Sequence, residues 1–432
     1  MTDVVPGGWS RYKIKDVADR RDRYSFTGGP FGSNLKSEEY TQSGVRIIQL
    51  QNIGDGEFRD KYKIYTSEKK ADELLSCNIF PNDIILSKMG DPVARAAIIP
   101  SFDNRYLMAS DGIRLAIDKD NFDTKFVHDT INFDLFRRQA ELNSTGSTRK
   151  RIGLTELREL TFIAPPLPEQ KKIASILTAV DEVIEKTESQ IAKLQDLKTG
   201  MMQELLTKGI GHTEFKDSPV GRIPLGWECL KLEALLANVP SPMRSGPFGS
   251  ALLKDELVST GIPFLGIDNV HIERFSRSYK RFVTVEKFEK LSRYAVRAKD
   301  VMVTIMGTVG RCCVVPDNAG DALSSKHVWT ISLEHNRYIP ELLCWQINYA
   351  DWVNKQFANE SQGGVMDSIS SKTLKNLLLP VPPIEEQRSI AQVHLALSQK
   401  IARTIDKAHQ LGLLKKALMQ DLLTGKVRVK TD

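Results

Sequence analysis

From Ile173 onward the chain sets apolar or tolerated residues in alternating steps of four and three: Ile173, Leu177, Val180, Ile184, Thr187, Ile191, Leu194, Lys198, Met201 and Leu205. That spacing places these side chains on one seam of an α-helix and predicts a coiled-coil rod. A second seam lies 217 residues further on: Ile390, His394, Leu397, Ile401, Thr404, Ala408, Leu411, Lys415, Leu418 and Leu422. Its polar members fall at the same steps. Each rod opens on a proline-led start, PPLPEQKKIASIL from Pro165 and PPIEEQRSIAQVH from Pro382. Proline and glutamate both suit a first helical turn. Each rod closes at Leu-Leu-Thr and a nearby glycine, Gly209 or Gly425, a helix stop. At 1.5 Å per residue, rods of roughly 40 residues run about 60 Å.

Outside the rods the pattern shortens. VRIIQL, DIILSK, DVMVTIMG and RCCVVP are brief, β-branched and bounded by Gly, Pro or Asp, which predicts strands. FVHDTINFDLFRRQAEL and IPELLCWQINYADWVNKQF have helical spacing and length. These segments also repeat at the offset of 217: GPFGS at 29–33 and 246–250, NDIILSKMG at 82–90 and KDVMVTIMG at 299–307. One residue out of step, VARAAIIP (93–100) matches VGRCCVVP (309–316) and PGGW (6–9) matches PLGW (224–227). The period is far too long for a solenoid. The halves diverge between these anchors, as one scaffold carrying different loops would.

The pattern therefore predicts an α+β fold with a pseudo-two-fold internal repeat. Two similar mixed α/β domains, 1–164 and 210–381, are separated by a long helix at 165–209, and a second long helix with a C-terminal tail occupies 382–432. With a whole globule between them, the rods are expected to pair antiparallel, their dyad near Thr187 and Thr404.

Composition narrows the class. At 432 residues and 41% hydrophobic content the chain exceeds what one core serves. No apolar run approaches the roughly 20 residues needed to cross a bilayer, and a cytoplasmic protein is expected. The net charge of +6 is spread without a polybasic tail, so a nucleic-acid surface has to be a local patch. Five cysteines, including the adjacent Cys312 and Cys313, form no C-x-x-C pair and suggest buried thiols in a reducing compartment. There is no phosphate-binding G-x-x-x-x-G-K-[ST] loop and no metal-ligand histidine spacing. Neither Pro-Pro pair is followed by the aromatic residue that holds a flipped base in amino-methyltransferases. Glu169-Gln170-Lys171 has a nuclease-like spacing, but it falls in the first turn of a helix. A non-enzymatic chain is expected, with no metal of its own.

The two GPFGS copies, the two Met-Gly turns followed by Arg95 and Arg311, the two PP-[LI]-x-EQ rods ending in LLT, and the linker GHTEFKDSPVGRIPLGWE (211–228) together resemble the specificity subunit of type I restriction-modification systems. The resemblance spans essentially the whole chain. It implies two target-recognition domains, each reading one half of a split, asymmetric double-stranded DNA target, with the paired helices setting the gap. It also implies partners: two methylation subunits using S-adenosylmethionine, and restriction subunits using ATP and Mg. This chain would carry no cofactor.

Candidate DNA contacts in the first domain are Lys36, Asn52, Lys88, Arg95 and the basic loop Ser147, Thr148, Arg149, Lys150 and Arg151. Arginine can grip guanine edges bidentately, lysine suits phosphates, and Asn52 could pair with adenine or simply cap a turn. In the second domain the matching loop lacks bases, and the candidates are Lys254, Asn269, Arg311, Lys326, His327 and Gln362. Methylation subunits are expected to dock on the rod seam and on exposed faces near Glu169 and Glu386. Two rival readings stand beside this one: a coiled-coil scaffold joining two binding modules, and a stand-alone sequence-specific nuclease or methyltransferase.

Overall fold

The structure, a computed structural model, describes residues 5–146, 149–359 and 369–431. It contains two compact units, one formed by Met1–Glu188 with Asp406–Asp432, the other by Ser189–Ile405. Each takes one globule together with the start of one long helix and the end of the other. The long helices are Leu167–Lys208 and Ile384–Leu423, 42 and 40 residues, and the expected seam positions are all shielded along them, while Ala174, Met202, Leu206 and Leu423, off that seam, are buried as well. Gly209 and Gly425 follow with φ of +66° and +67°, the left-handed stop that favours glycine.

In the first unit an antiparallel sheet runs Phe26–Gly28, Gly112–Leu115, Ile84–Ser87, Ala96–Ile98 in spatial order. In the second unit Met243–Ser245, Val328–Ile331, Val301–Thr304 and Cys312–Val314 repeat that order. A second sheet in each unit has one parallel pair at its centre, Val45–Ile48 with Tyr106–Met108 and Ile262–Leu265 with Ala322–Ser324. A two-stranded ribbon then closes each globule just before its long helix: Ser10–Lys13 with Thr161–Ala164, and Glu228–Lys231 with Leu378–Val381. The expected strands in VRIIQL, DIILSK, DVMVTIMG and RCCVVP all form. Strand alternation sends Cys312 and Cys313 into different cores, and both are free thiols.

Where the pattern predicts one helix, each unit has two. Thr124–Asn132 and Asp134–Leu142 break at Phe133, and Pro340–Tyr349 and Asp351–Asn359 break at Ala350. The cause is an amide clamp at the end of the first helix. Asn132 accepts from the Ala96 N–H at 3.1 Å and donates to its carbonyl at 3.1 Å; Asn348 does the same to Cys312 at 3.1 and 2.9 Å. Pinned to a sheet strand, the helix ends, and Asp134 or Asp351 begins the next where a carboxylate favours the dipole.

The rod ends belong to the globular cores. In the first unit Ile173, Ala174 and Leu177 share a core with Leu422, Leu423, Trp9, Phe126 and Phe136. In the second, Met202 and Leu206 share one with Ile390, Trp345 and Leu343. Each fully buried side chain of this size contributes roughly 1.5–3 kcal/mol. Within each unit, then, the start of one long helix lies with the end of the other. In the first unit Lys415 Nζ reaches Asp181 at 2.6 Å, in keeping with antiparallel course. Thr187 and Thr404 are buried, and each donates its hydroxyl to its own helix, to the Val183 and Lys400 carbonyls at 2.7 Å.

The second unit also ties a loop of its globule to both helices. Glu273, in the left-handed region at φ 57°, accepts from Lys198 Nζ at 2.6 Å and His394 Nε2 at 2.8 Å. Burial pushes this carboxyl up, but the hydrogen bonds and charges of His394 and Lys198 outweigh it and hold it below the ordinary range. A depressed carboxylate stabilises the fold above its unfolded value of about 4.3 and loses that stabilisation as pH falls through the folded value. The second unit should therefore lose this contribution progressively as pH falls below about 4.3, and Glu273→Gln should flatten the stability-against-pH curve below about pH 4.5. Unfolding midpoints between pH 3 and 7 check this, and an unchanged slope would refute it.

Candidate nucleic-acid interface

The two GPFGS loops follow the first strand of the antiparallel sheet in each unit and pass close over a neighbouring strand. A Cβ on Gly29 would lie 1.9 Å from the Ala109 carbonyl oxygen, and one on Gly246 would lie 1.9 Å from that of Ser324. Glycine is therefore required for the close approach. Beyond each loop the surface opens into a cleft.

In the first unit a cleft of about 610 Å³ is lined by Gly29, Phe31, Lys88, Asn143, Arg151 and Glu156. Lys88 stands at the end of strand Ile84–Ser87, its ammonium donating to the Ser110 carbonyl at 3.1 Å. Burial lowers its pKa first; the Asp111 charge opposes this and the Arg151 charge adds to it. Arg151 pairs with Asp111 and keeps 56% of its side chain exposed. In the second unit a cleft of about 200 Å³ is lined by Pro247, Lys254, Phe264, Arg281, Lys326 and His327. His327 is held below its ordinary value by burial and then by the charges of Lys326 and Arg281. Crowded cations of this kind are relieved by an arriving anion.

The structure thus brings Lys88 and Arg151 together in one unit, and Lys254, Lys326 and His327 in the other. Other candidates sit apart. Lys36, Arg149 and Arg311 are exposed outside these clefts, Arg95 packs against Gly90, and Lys150 is paired with Glu141. Ser147, Thr148 and Gln362 lie outside the described residues. Arg281 escaped sequence reasoning because it stands in a segment that diverged between the halves; its signal was the basic and aromatic interleaving of RSYKRF.

Asn52 and Asn269 are corrected to turn residues. They are 0% and 2% exposed. Each accepts a backbone N–H through Oδ1, from Gln49 and Gly266 at 2.9 Å, and donates Nδ2 to carbonyls of the following loop, Arg59 at 3.0 Å and Ser276 at 3.0 Å. Amides satisfied in this way have nothing left for an adenine edge.

The expected docking faces at Glu169 and Glu386 are likewise corrected. Arg428 grips Glu169 bidentately at 2.8 and 2.7 Å, beneath a carboxylate side chain only 6% exposed. Glu386 accepts from the Ile210 N–H, His212 Nε2 and Trp227 Nε1, all at 2.9 Å. Their neighbours Gln170 and Gln387 are buried and bond the backbone of the same unit, including the Asp123 N–H and the Ile339 N–H at 3.0 Å. The Glu-Gln pair locks each helix start into its globule, and Glu169 has no free carboxylate for nuclease chemistry.

Among the described residues no helix is long and apolar enough to cross a membrane. What the geometry defines is a duplicated two-module polypeptide whose modules each present a cleft beside the repeated GPFGS loop, with different linings. A family model described as "Type I restriction modification DNA specificity domain" matches residues 6–196 and 249–410, and the chain belongs to that family, the specificity subunits of type I restriction-modification systems. It is similar to the type I restriction enzyme MjaIX specificity subunit of Methanocaldococcus jannaschii, 23% identical over 99% of this chain and 96% of the relative. It is also similar to the EcoBI specificity subunit of Escherichia coli, 22% identical over 90% of this chain and 79% of the relative. The fold matches a chain in the structure described as "Structural basis underlying complex assembly and conformational transition of the type I R-M system", with a TM-score of 0.64 and 14% identity over 98% of this chain and 100% of that one.

Proposed function

We propose that the two modules each read one half of a bipartite, asymmetric duplex target, and that the two long helices fix the number of base pairs between the halves. The observation that carries this is a cationic cleft beside each copy of the repeated GPFGS loop, lined by Lys88 and Arg151 in one module and by Lys254, Arg281, Lys326 and His327 in the other. Lysines and arginines at a cleft mouth suit phosphates and guanine edges, and different linings suit different half-sites. The rod ends sit in the module cores through Leu177, Leu422, Leu206 and Ile390, so a module cannot turn without carrying helix with it. The chain supplies the address and no chemistry. Two methylation subunits bring S-adenosylmethionine to adenine, and restriction subunits bring ATP and Mg, in the cytoplasm.

Selection from random duplexes, with and without the methylation subunits, tests this reading. A two-part motif with a fixed gap is the expected result, and an unsplit motif or none would overturn it. Inserting four residues in register into one long helix should lengthen the preferred gap while leaving both half-sites as they were. Half-sites that change while the gap stays fixed would refute the spacer role.

A further inference from the structure

Phe31 and Phe248 hold the same place in the two GPFGS copies, and both rings stand in solvent, 82% and 62% exposed. A single exposed apolar residue needs no explanation. These two do, because the same ring is displayed twice while the surrounding loops have diverged. The loops that display them are anchored. The Gly29 N–H donates to the Gly112 carbonyl at 2.8 Å and the Gly246 N–H to that of Ser325 at 3.2 Å. Past the ring, a turn closes from the Asn34 N–H to the Phe31 carbonyl at 2.8 Å and from the Ala251 N–H to that of Phe248 at 3.3 Å. A ring on a fixed loop gives up little freedom on contact. The surroundings are cationic: Phe31 shares its cleft with Lys88 and Arg151, and the residues either side of Phe248, Pro247 and Gly249, line the cleft of Lys254 and Lys326.

We propose that Phe31 and Phe248 are the base-stacking contacts of the two modules: on bound duplex DNA each ring enters at a base step and stacks on an opened base face, while the cations of the adjoining cleft hold the phosphates. The inference rests on the proposed reading of DNA by both modules. Apolar wedges at base steps unstack and kink the duplex, and stacking on a base face is tolerant of which base is present. That tolerance explains how one residue type serves two modules with different linings. The ring opens the step, and the diverged loops discriminate. Flexible pyrimidine–purine steps open most easily, so each half-site should carry one at the same distance from the gap.

The test uses the full chain assembled with its methylation subunits, and duplexes of the selected two-part sequence carrying 2-aminopurine at successive positions. Wild type should raise the fluorescence at one step in each half. Phe31→Ala should abolish the signal in the first half alone and Phe248→Ala in the second, each weakening binding roughly 5- to 150-fold at an unchanged unfolding midpoint. Phe31→Trp and Phe248→Trp should keep both signals. Selection that yields no two-part site would overturn the reading of DNA itself. A two-part site bound equally well by both alanine variants, or bound more weakly with no wild-type fluorescence change at any step, would leave that reading standing and sink the stacking role. Release of the methylation subunits by the alanine variants would also sink it, by showing that the rings hold protein.

Discussion

Replacing Arg244 by threonine should cost the second unit about 3–5 kcal/mol, and moving the arginine to the neighbouring strand should restore more than half of it. Both units bury an arginine–aspartate pair, but they take the arginine from opposite sides of the same cross-strand position. In the first, Arg114 stands opposite Thr27 and its Nε donates to Asp83 at 2.6 Å. In the second, Arg244 stands opposite Thr330 and pairs with Asp300. Asp83 and Asp300 are equivalent under the repeat, and each also accepts the backbone N–H of the residue three before it, Phe80 at 3.0 Å and Arg297 at 2.7 Å. Burial raises the pKa of both aspartates, more than their arginines lower it. Removing the cation therefore leaves an uncompensated buried charge. Cβ atoms of opposed residues lie about 5 Å apart, so a guanidinium launched from position 330 can reach Asp300. Arg244→Thr with Thr330→Arg should then unfold later in urea than Arg244→Thr alone. Restoration should stay incomplete, because Arg114 has a second carboxylate, Asp22 at 2.7 Å, where the repeat places Val239; adding Val239→Asp should close the gap further. A double variant no more stable than the single one would refute the equivalence.

The swap shows what the sequence could and could not disclose. Strand pattern, rod seams and the offset of 217 depend on local spacing, and they were legible because period and burial follow directly from backbone geometry. The buried pair was not legible, because its arginine moved between strands that are distant in sequence and adjacent only once paired. The helix breaks at Phe133 and Ala350 were hidden for the same reason: the amide clamps that end those helices bond strands some 36 residues away, and only the repeated Ile-Asn-aromatic triplet hints at them. Asn52 and Asn269 were ambiguous by composition. An asparagine that reads a base and one that closes a turn look alike until its two polar atoms are traced to partners. The site divides the same way. Lys88, Arg151, Lys254, Lys326 and His327 were visible as charges near repeated turns, whereas Arg281 needed the fold to bring a diverged loop back over Phe264, with its guanidinium 5.8 Å from the ring.

Charge reversal at Glu386 should act on folding before it acts on any partner. The carboxylate is 13% exposed and takes three donors from one segment of the second unit, the Ile210 N–H, His212 and Trp227. Gly209, which ends the first long helix, packs so tightly here that a Cβ would lie 2.3 Å from Glu386 Oε1 and 2.7 Å from the Trp227 ring. An ammonium in that place would face three donors with no acceptor. Ile210 is exposed and its N–H can turn to water, but Trp227 is fully buried, and a buried donor left unmade costs about 1–3 kcal/mol. Glu386→Lys should therefore lose about 3 kcal/mol in denaturant unfolding, and hydrogen exchange should rise at Trp227 and the end of the first long helix. Glu386→Gln keeps an acceptor without the charge and should lose about half as much, since charge-assisted bonds are roughly twice as strong as neutral ones. The corresponding change in the first unit should be milder. Arg428, which holds Glu169, is 45% exposed, and water can take over part of its role in Arg428→Ala. Capture of methylation subunits should fail for Glu386→Lys only at temperatures where its second unit has opened. A Glu386→Lys chain that unfolds with the wild-type midpoint yet fails to capture them would instead make Glu386 a docking residue and remove its part in the helix lock.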